Sequence, residues 1–461
     1  MNGPVDVDAI AAAAVASVAE PRPPQFSDDG LALEFSRRHD GQLLYVATWG
    51  HWLRWDGTRW AADTTLAVYD LCRAVCREMG ALAEAQDPKR GEATARDITS
   101  SSTVASVERM ARSDRRHARA AEQFDSDPWA LNTPGGVLDL RTGRMRAHRR
   151  DDLFTKVTGA APENGIPWRW LRFLLEITQG DKAMVRYLQR FIGYTLTGVI
   201  DEHAFAFLCG PGGNGKSVLL ATVAAMLGGY STVASSDVFV VGRHEQHPTH
   251  LASLRGARMV LVSEVEPGRA WAESRIKSLT GGDRISARFM RGDLFEFSPV
   301  FKLWIAGNHR PVLRNPDPAM RRRMHLMPLT FVPARPDLEL TAILHAELPC
   351  ILAWGVKGCL IWQRQHLAPP TDVREATDRY FAEQDSLAAW VAERCKRDAF
   401  ATTTSRTLFS DWKAWMAPRG EDAGNEKLFS EGLERHFAKK RAKTGMAFVG
   451  VRLLPSDTGA W

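Results

Sequence analysis

Residues 210 to 217 read Gly210-Pro211-Gly212-Gly213-Asn214-Gly215-Lys216-Ser217 and fit the pattern G-x-x-x-x-G-K-[ST]. That pattern makes a loop whose backbone N–H groups point inward at a chain of phosphates, so side chains must be small where the backbone comes closest. Lys216 then reaches the β- and γ-phosphates of a nucleoside triphosphate, and the Ser217 hydroxyl ligates magnesium. Gly210 through Ser217, with Val218 behind them, are therefore the candidate nucleotide-binding residues. The flanks agree: "AFAFLCG" reads as a short buried strand, and "SVLLATVAAML" as a helix whose N-terminus faces the phosphates.

Many kinds of enzyme carry such a loop, and the residues downstream narrow the choice. The strand "RMVLVSEVE" ends in Glu264, with Glu266 two places on. A carboxylate at the end of a strand next to the loop's own strand would stand near the magnesium ion and the attacking water. Ser263 occupies the first place of the usual pair of acids, so Glu264 is metal ligand, water-activating base or both; base with a water-mediated metal contact is favoured. In "WAESRIKSLTGGDRISARFMRGDLFEFSPVFKLWIAGNHRP" a helix stops at Gly281-Gly282, and alternating residues then flank a tip at Arg291-Gly292. This is a β-hairpin with a cationic tip. The next strand delivers Asn308 at its end, where an amide can orient the nucleophilic water. Beyond it "AMRRRMHL" presents Arg321, Arg322 and Arg323, at a distance suited to supplying charge to a neighbouring subunit's nucleotide.

Stepping outward from these residues, 461 residues with 44% hydrophobic content are enough for two to four domains with proper cores. A net charge of +6 makes an acidic polymer a fitting partner. Of six cysteines only Cys72 and Cys76 are close, one helical turn apart, and no second pair follows at zinc-finger distance, so they read as buried thiols of a reducing compartment. The segment "DAIAAAAVASVAEPRPP" follows acidic rather than basic residues and is read as a frayed tail. With no run near the roughly 18 apolar residues of a membrane span, the expectation is a soluble protein of a bacterial host's cytoplasm, with no membrane partner.

The elements that must position the chemistry follow from periodicity. Residues 27 to 62 give a helix and aromatic-rich strands with Asp56-Gly57 as a hairpin turn; residues 65 to 123 are helical, with Leu71, Val75 and Met79 on one face. "WALNTPGGVLDLRTGRMRAH" is a second β-like patch, and Pro and Gly near 161 to 167 mark a boundary. Two helical patterns around Gly180 lead into the loop's strand, the second with Met184, Leu188, Phe191, Ile192 and Thr195 on one face. "ARMVLVSE", "FKLWIAGN" and "HLMPLTF" join that strand in a mainly parallel sheet. From Asp385 on, three short helices ("SLAAWVAERC", "TLFSDWKAWM", "NEKLFSEGLERHF") and a basic strand pair predict a winged helix-turn-helix. The expected divisions are 1–25 (tail), 26–165 (mixed, mainly helical), 166–345 (nucleotide-hydrolysing core), 346–384 (helical connection) and 385–461 (winged helix).

The order of loop, strand ending in Glu264, "IKSLTGGDRISAR", "FKLWIAGNH" and "AMRRRMHLMPL" resembles the superfamily 3 helicases, in the primase-helicase branch of phages and plasmids. "WGHWLRWDGTRW", "WALNTPGGVLDLRTG" and the C-terminal pattern are similar too, so the likeness runs from about residue 27 to 453. It implies an α/β fold with an AAA+-like P-loop NTPase core, assembled as a ring, usually a hexamer. Such a ring binds ATP and Mg2+ between subunits, encircles a DNA strand and moves 3′ to 5′. It further implies that Lys216 and Ser217 hold phosphate and magnesium, Glu264 is the Walker B acid, also counted with Ser217 at the metal, Asn308 is the sensor, and Arg322 and Arg323 are the paired arginines. Arg321 stands where the family commonly has an aromatic residue, which leaves the choice of finger among the three open. The hairpin matches the one that carries DNA through the pore, making Arg291, and less strongly Arg288, phosphate contacts.

Longer members of that branch carry a primase built around a D-x-D metal pair, and Asp6 and Asp8 have that spacing. The stretch around them is too short for a polymerase-type sheet, so no priming is expected of these residues, and a separate primase or polymerase is an expected partner. A competing reading makes the chain an origin-binding protein in which ATP sets assembly. It rests on Lys439, Lys440, Arg441 and Lys443, a basic cluster able to read a groove or grip phosphates.

Overall fold

The computed structural model describes residues 22–241, 249–263, 269–288, 294–313, 317–419, 423–442 and 445–455. Asp6, Asp8, Glu264, Glu266, Arg291 and Lys443 lie outside these stretches.

The helix Asp28–Arg38 starts at Ser27, whose side chain accepts from the Gly30 N–H and so satisfies one of the first-turn donors. Strands β1 (Leu43–Val46), β2 (His51–Trp55) and β3 (Trp60–Ala62) follow in antiparallel order. At the Asp56-Gly57 turn the Asp56 carboxylate accepts from the N–H groups of Thr58 and Arg59, while Gly57 takes φ +100°. Helices Ala67–Gln86, Gly91–Ile98 and Ser101–Ala111 close a core over the first helix. Its inward stripe runs Val68, Cys72, Val75, Met79, which leaves Leu71 half-buried at the edge. Cys72 and Cys76 are both free and buried, and burial pushes the Cys76 thiol up to about 11, the state of an inert packing residue.

A second antiparallel sheet holds β4 (Ala130–Thr133), β5 (Gly136–Asp139) and β6 (Arg144–Arg146). Leu131, Leu138 and Leu140 share one core with the helices Trp168–Ile177, Lys182–Thr195, Lys216–Leu227 and Leu348–Gln365. The second of these buries Met184, Leu188, Phe191, Ile192 and Thr195 as its spacing predicts. It crosses Leu348–Gln365 at backbone contact: a Cβ on Gly193 would stand 2.1 Å from the Cys359 nitrogen, and one on Gly358 2.1 Å from the Gln189 oxygen.

The central sheet contains β7 (Phe205–Cys209), β8 (Ser231–Ala234) and β9 (Met259–Ser263); a separate hairpin of β10 (Ile285–Arg288) and β11 (Leu294–Phe297) precedes β12 (Lys302–Gly307) and β13 (Met324–Pro328). Its order is β13-β7-β12-β9-β8, with every pair parallel. Two features differ from the sequence reading. The strand leading to Glu264 is not next to the loop's strand, because β12 lies between β9 and β7. Neighbours in the chain need not be neighbours in a sheet, and the helix Glu273–Gly281 with the hairpin is a crossover long enough to carry β12 back across β9. A fifth strand, β8, also joins the edge; "STVA" is short and mostly half-exposed, so it lacks the apolar run that marks its partners.

The C-terminal part runs helix Ser386–Arg394, β14 (Cys395–Thr404), helices Ser405–Met416 and Glu426–Leu433, then β15 (Ala438–Ala442) and β16 (Gly445–Leu453). The three strands pair antiparallel in the order β14-β16-β15 over Trp390, Leu408, Trp412, Phe429 and Phe448. The sequence reading lacks β14, whose "CKRDAFATTT" has no alternation to announce it. Among the described residues no single helix is long and apolar enough to cross a membrane; only the bent pair Leu340–Ala346 and Leu348–Gln365, at 69°, passes that test jointly.

Two buried cations tie these layers together at the amino ends of β9 and β12. Arg258 donates to the carbonyls of Leu196 (2.6 Å), Ala130 (2.6 Å) and Asp127 (3.3 Å) over the Tyr230 ring. Lys302 donates to the Thr197 carbonyl and hydroxyl beneath the Tyr194 ring, and burial, with Arg258 nearby, pulls its ammonium well below the usual lysine range. Replacing Arg258 by Met strands three buried acceptors, so Arg258→Met should lower unfolding free energy by about 3 kcal/mol in urea titrations. A loss under about 1 kcal/mol would show that the clamp is dispensable.

Candidate active site

The loop after β7 has glycine where nothing larger fits. A Cβ on Gly210 would lie 1.8 Å from the Leu329 carbonyl oxygen, and one on Gly215 2.7 Å from Ile177. Gly213 and Gly215 also take φ +76° and +86°, the left-handed region. Gly215 caps the helix Lys216–Leu227, so the loop leads straight into that helix's N-terminus, with Ser217 exposed in its first turn.

Asn214, fully buried, donates its amide to the Leu329 carbonyl and accepts from Lys216 Nζ at 2.8 Å. The same ammonium donates to the carbonyls of Gly210 (2.8 Å) and Pro211 (2.9 Å). Lys216 is thus folded across the loop mouth and held by oxygen acceptors, the kind of partner phosphate oxygens would replace. Around Gly212 a Cβ would meet nothing within 4 Å, so the loop is open on its outer side. These residues fit a nucleoside triphosphate. The Ser217 hydroxyl, exposed in the first helical turn, fits magnesium in the form that ion prefers, shared between phosphates and one or two side chains.

Sheet register decides what stands beside the loop. Cys209 lies level with Gly307 of β12 and Pro328 of β13, and Ala306 lies level with Ser263 of β9. Asn308, exposed and directly after Gly307, is therefore at the same edge as Gly210. Ser263 ends β9 at this edge too, and Glu264 is the next residue, outside the described stretches.

The arginine run sits at the other edge. The Phe205 N–H donates to the Arg323 carbonyl at the start of β7, one strand length, roughly 16 Å, from the loop. Arg321 is paired with Asp378 at 2.7 Å. Arg323 donates Nη1 to the Ala319 carbonyl at 3.0 Å and has its Nε buried without a partner. The Arg322 side chain is exposed and has no ion pair or hydrogen bond among the described residues, while its backbone N–H donates to the Pro318 carbonyl. Three adjacent arginines look alike in sequence, and only their tertiary partners separate them.

In the hairpin, Ile285 and Ala287 point inward while Ser286 and Arg288 are exposed; Arg288 lies opposite Leu294, next to the undescribed tip that holds Arg291. In the C-terminal part Lys439 is tied to Glu434 at 2.6 Å, whereas Lys440 and Arg441 are exposed on β15. The neighbouring helix Glu426–Leu433 carries Glu426, Lys427 and Glu431, a charge balance poorly suited to a phosphate-lined groove. Sequence reasoning missed Phe173 and Ile177, which back Gly215, and Leu329, which receives Asn214; each is remote in the chain and carries no local signal.

Two families match the chain: residues 32–179 match one described as D5 N terminal like, and residues 208–323 one of unknown function, DUF5906. "Putative helicase 022R" of Frog virus 3 (isolate Goorha) is 28% identical over 269 residues, 52% of this chain and 27% of that protein. "Putative helicase L207/L206" of Acanthamoeba polyphaga mimivirus is 26% identical over 211 residues, 44% of this chain and 22% of that protein. The chain thus spans about a quarter of the length of these relatives. Among solved structures, the A form apo structure of the NrS-1 C terminal region aligns over 94% of this chain and 100% of that one, with TM-score 0.51 and 10% identity, a likeness of fold. Residues 32–179 thus form a D5-type region, a kind found in the phage and plasmid primase-helicase family, and the chain has viral proteins named putative helicases as homologues.

Proposed function

We propose that the chain is an ATP-driven DNA helicase that works as a ring of identical subunits in the replication of a phage, prophage or plasmid. The observation that carries this reading is the division of the chemistry between two edges of one sheet: the glycine loop with Lys216 and Asn308 at one, the exposed Arg322 at the other. A single chain cannot bring Arg322 to its own loop, but a neighbour docked edge to edge can. Homology to viral proteins named as helicases points the same way.

ATP with magnesium supplies the phosphoanhydride whose hydrolysis drives movement. In this reading the loop amides and Lys216 hold the phosphates, Ser217 holds the metal, and Glu264 takes a proton from the attacking water. Asn308 orients that water. Arg322 of the adjoining subunit meets the charge that develops at the γ-phosphate; Arg321 and Arg323 are engaged within their own chain and hold the segment that presents it. Stretch 231–345, with 16 Lys and Arg against 11 Asp and Glu, concentrates the cationic excess around the hairpin that would face DNA in a 3′ to 5′ pore. The C-terminal part, read as a winged helix, would grip phosphates through Lys440 and Arg441 rather than read bases through its acidic helix.

Lys216→Ala should abolish ATP hydrolysis and weaken nucleotide binding, while Glu264→Gln should abolish hydrolysis and leave binding intact; turnover retained in both would refute the assignment. Arg322→Ala should lose turnover by about a thousandfold at unchanged nucleotide affinity, and mixing it with Lys216→Ala subunits should restore part of the rate. Loss of turnover in Arg323→Ala with a normal rate in Arg322→Ala would move the finger to Arg323.

A further inference from the structure

Among the described residues β10 and β11 pair only with each other, as a two-stranded sheet apart from the central one. Such a ribbon is marginal alone and takes its attitude from what packs against its base. On the inner side Ile285, Ala287 and Phe297 join the motor core. Phe295 faces the same way, opposite Ala287, and over its ring stands Arg255, in the turn between the helix Thr249–Ala252 and β9. Its guanidinium lies 5.3 Å from the Phe295 ring centre of β11 and 5.4 Å from the Trp49 ring centre, between β1 and β2 of the N-terminal part. Trp49 in turn packs on Phe124 and His51. Burial pulls this guanidinium below the usual arginine range, and the carboxylates of Glu122 and Asp125, from the same part, offset some of that. One planar cation is thus held between two aromatic rings from units far apart in sequence, an arrangement a flexible ammonium cannot reproduce.

We infer that Arg255 is a positioning residue that couples the hairpin to the N-terminal part of the chain through a Trp49–Arg255–Phe295 stack, so that the N-terminal part sets the hairpin's hold on DNA. Its role toward DNA rests on the proposed function; the mechanical coupling does not. The clamp joins three units: Arg255 is anchored to the motor beside β9, Trp49 belongs to the D5-type region, and Phe295 belongs to the strand that returns from the hairpin tip.

Two measurements on the full chain test it. In Trp49→Ala, amide exchange at residues 294–297 should quicken about fivefold although the substitution lies elsewhere; Arg255→Lys should give most of the same effect, since charge alone does not stack. Faster exchange confined to residues 43–55, with the hairpin unchanged, overturns the coupling. In Arg255→Ala and Trp49→Ala, stimulation of ATP hydrolysis by single-stranded DNA should fall about fivefold with the unstimulated rate unchanged. Full stimulation in variants whose hairpin exchanges faster overturns the positioning role. A wild-type chain without ATPase would refute the proposed function instead, and the exchange experiment would still decide the stack. Should Arg255→Ala fail to fold, Trp49→Ala carries both measurements.

Discussion

The parallel register that holds β12 between β7 and β9 is the constraint on which the site depends. Because Gly307, Cys209 and Pro328 are level, and Ala306 is level with Ser263, four strands end at one edge and hand their next residues to the same place. A slip of one residue would shift Asn308 by about 3.3 Å and turn every side chain of β12 to the opposite face. Trp304 would then leave the core it shares with Phe191, and Ile305 the core on the other side of the sheet.

That register is secured at the end away from the loop. The Lys302 N–H donates to the Arg258 carbonyl, and both side chains reach for carbonyls just past the C-terminus of the helix Lys182–Thr195. Burying two cations that form no ion pair among the described residues is costly, yet the helix end presents negative partial charge and aromatic faces lie against each cation. Trp304 adds a bond from its indole N–H to the Thr195 hydroxyl. The cations thus serve geometry: strong directional bonds at one edge keep the other edge in register.

The same sheet separates charge of opposite purpose. Lys216 is folded into its loop, and Asn214 ties the loop to Leu329 at the end of β13. Arg321 and Arg323 are spent on Asp378 and Ala319, which leaves Arg322 outward at the far edge. The hairpin, outside the sheet, takes its orientation from core residues and from Arg255, which meets Phe295 on the same inward face.

Much of this was legible in the chain itself. The glycine loop, its strand and helix, the helices around Gly180, the hairpin, Asn308 at a strand end and the arginine run all follow from local chemistry: positive φ that favours glycine, apolar periods of 2 and 3.6, and stop signals at Gly281-Gly282. The short polar strands β8 and β14 were not legible, because strands that bury little leave no pattern. Nor was the order of the sheet, since pairing partners are chosen by two-sided burial and crossover length, not by sequence neighbours. Sequence alone determined which residue types could bind a triphosphate. Only the tertiary structure decided that Asn308 stands beside the loop, that Arg321 and Arg323 but not Arg322 have side-chain partners among the described residues, and that Trp49 meets Phe295 across Arg255, because each depends on contacts between segments that no local period encodes.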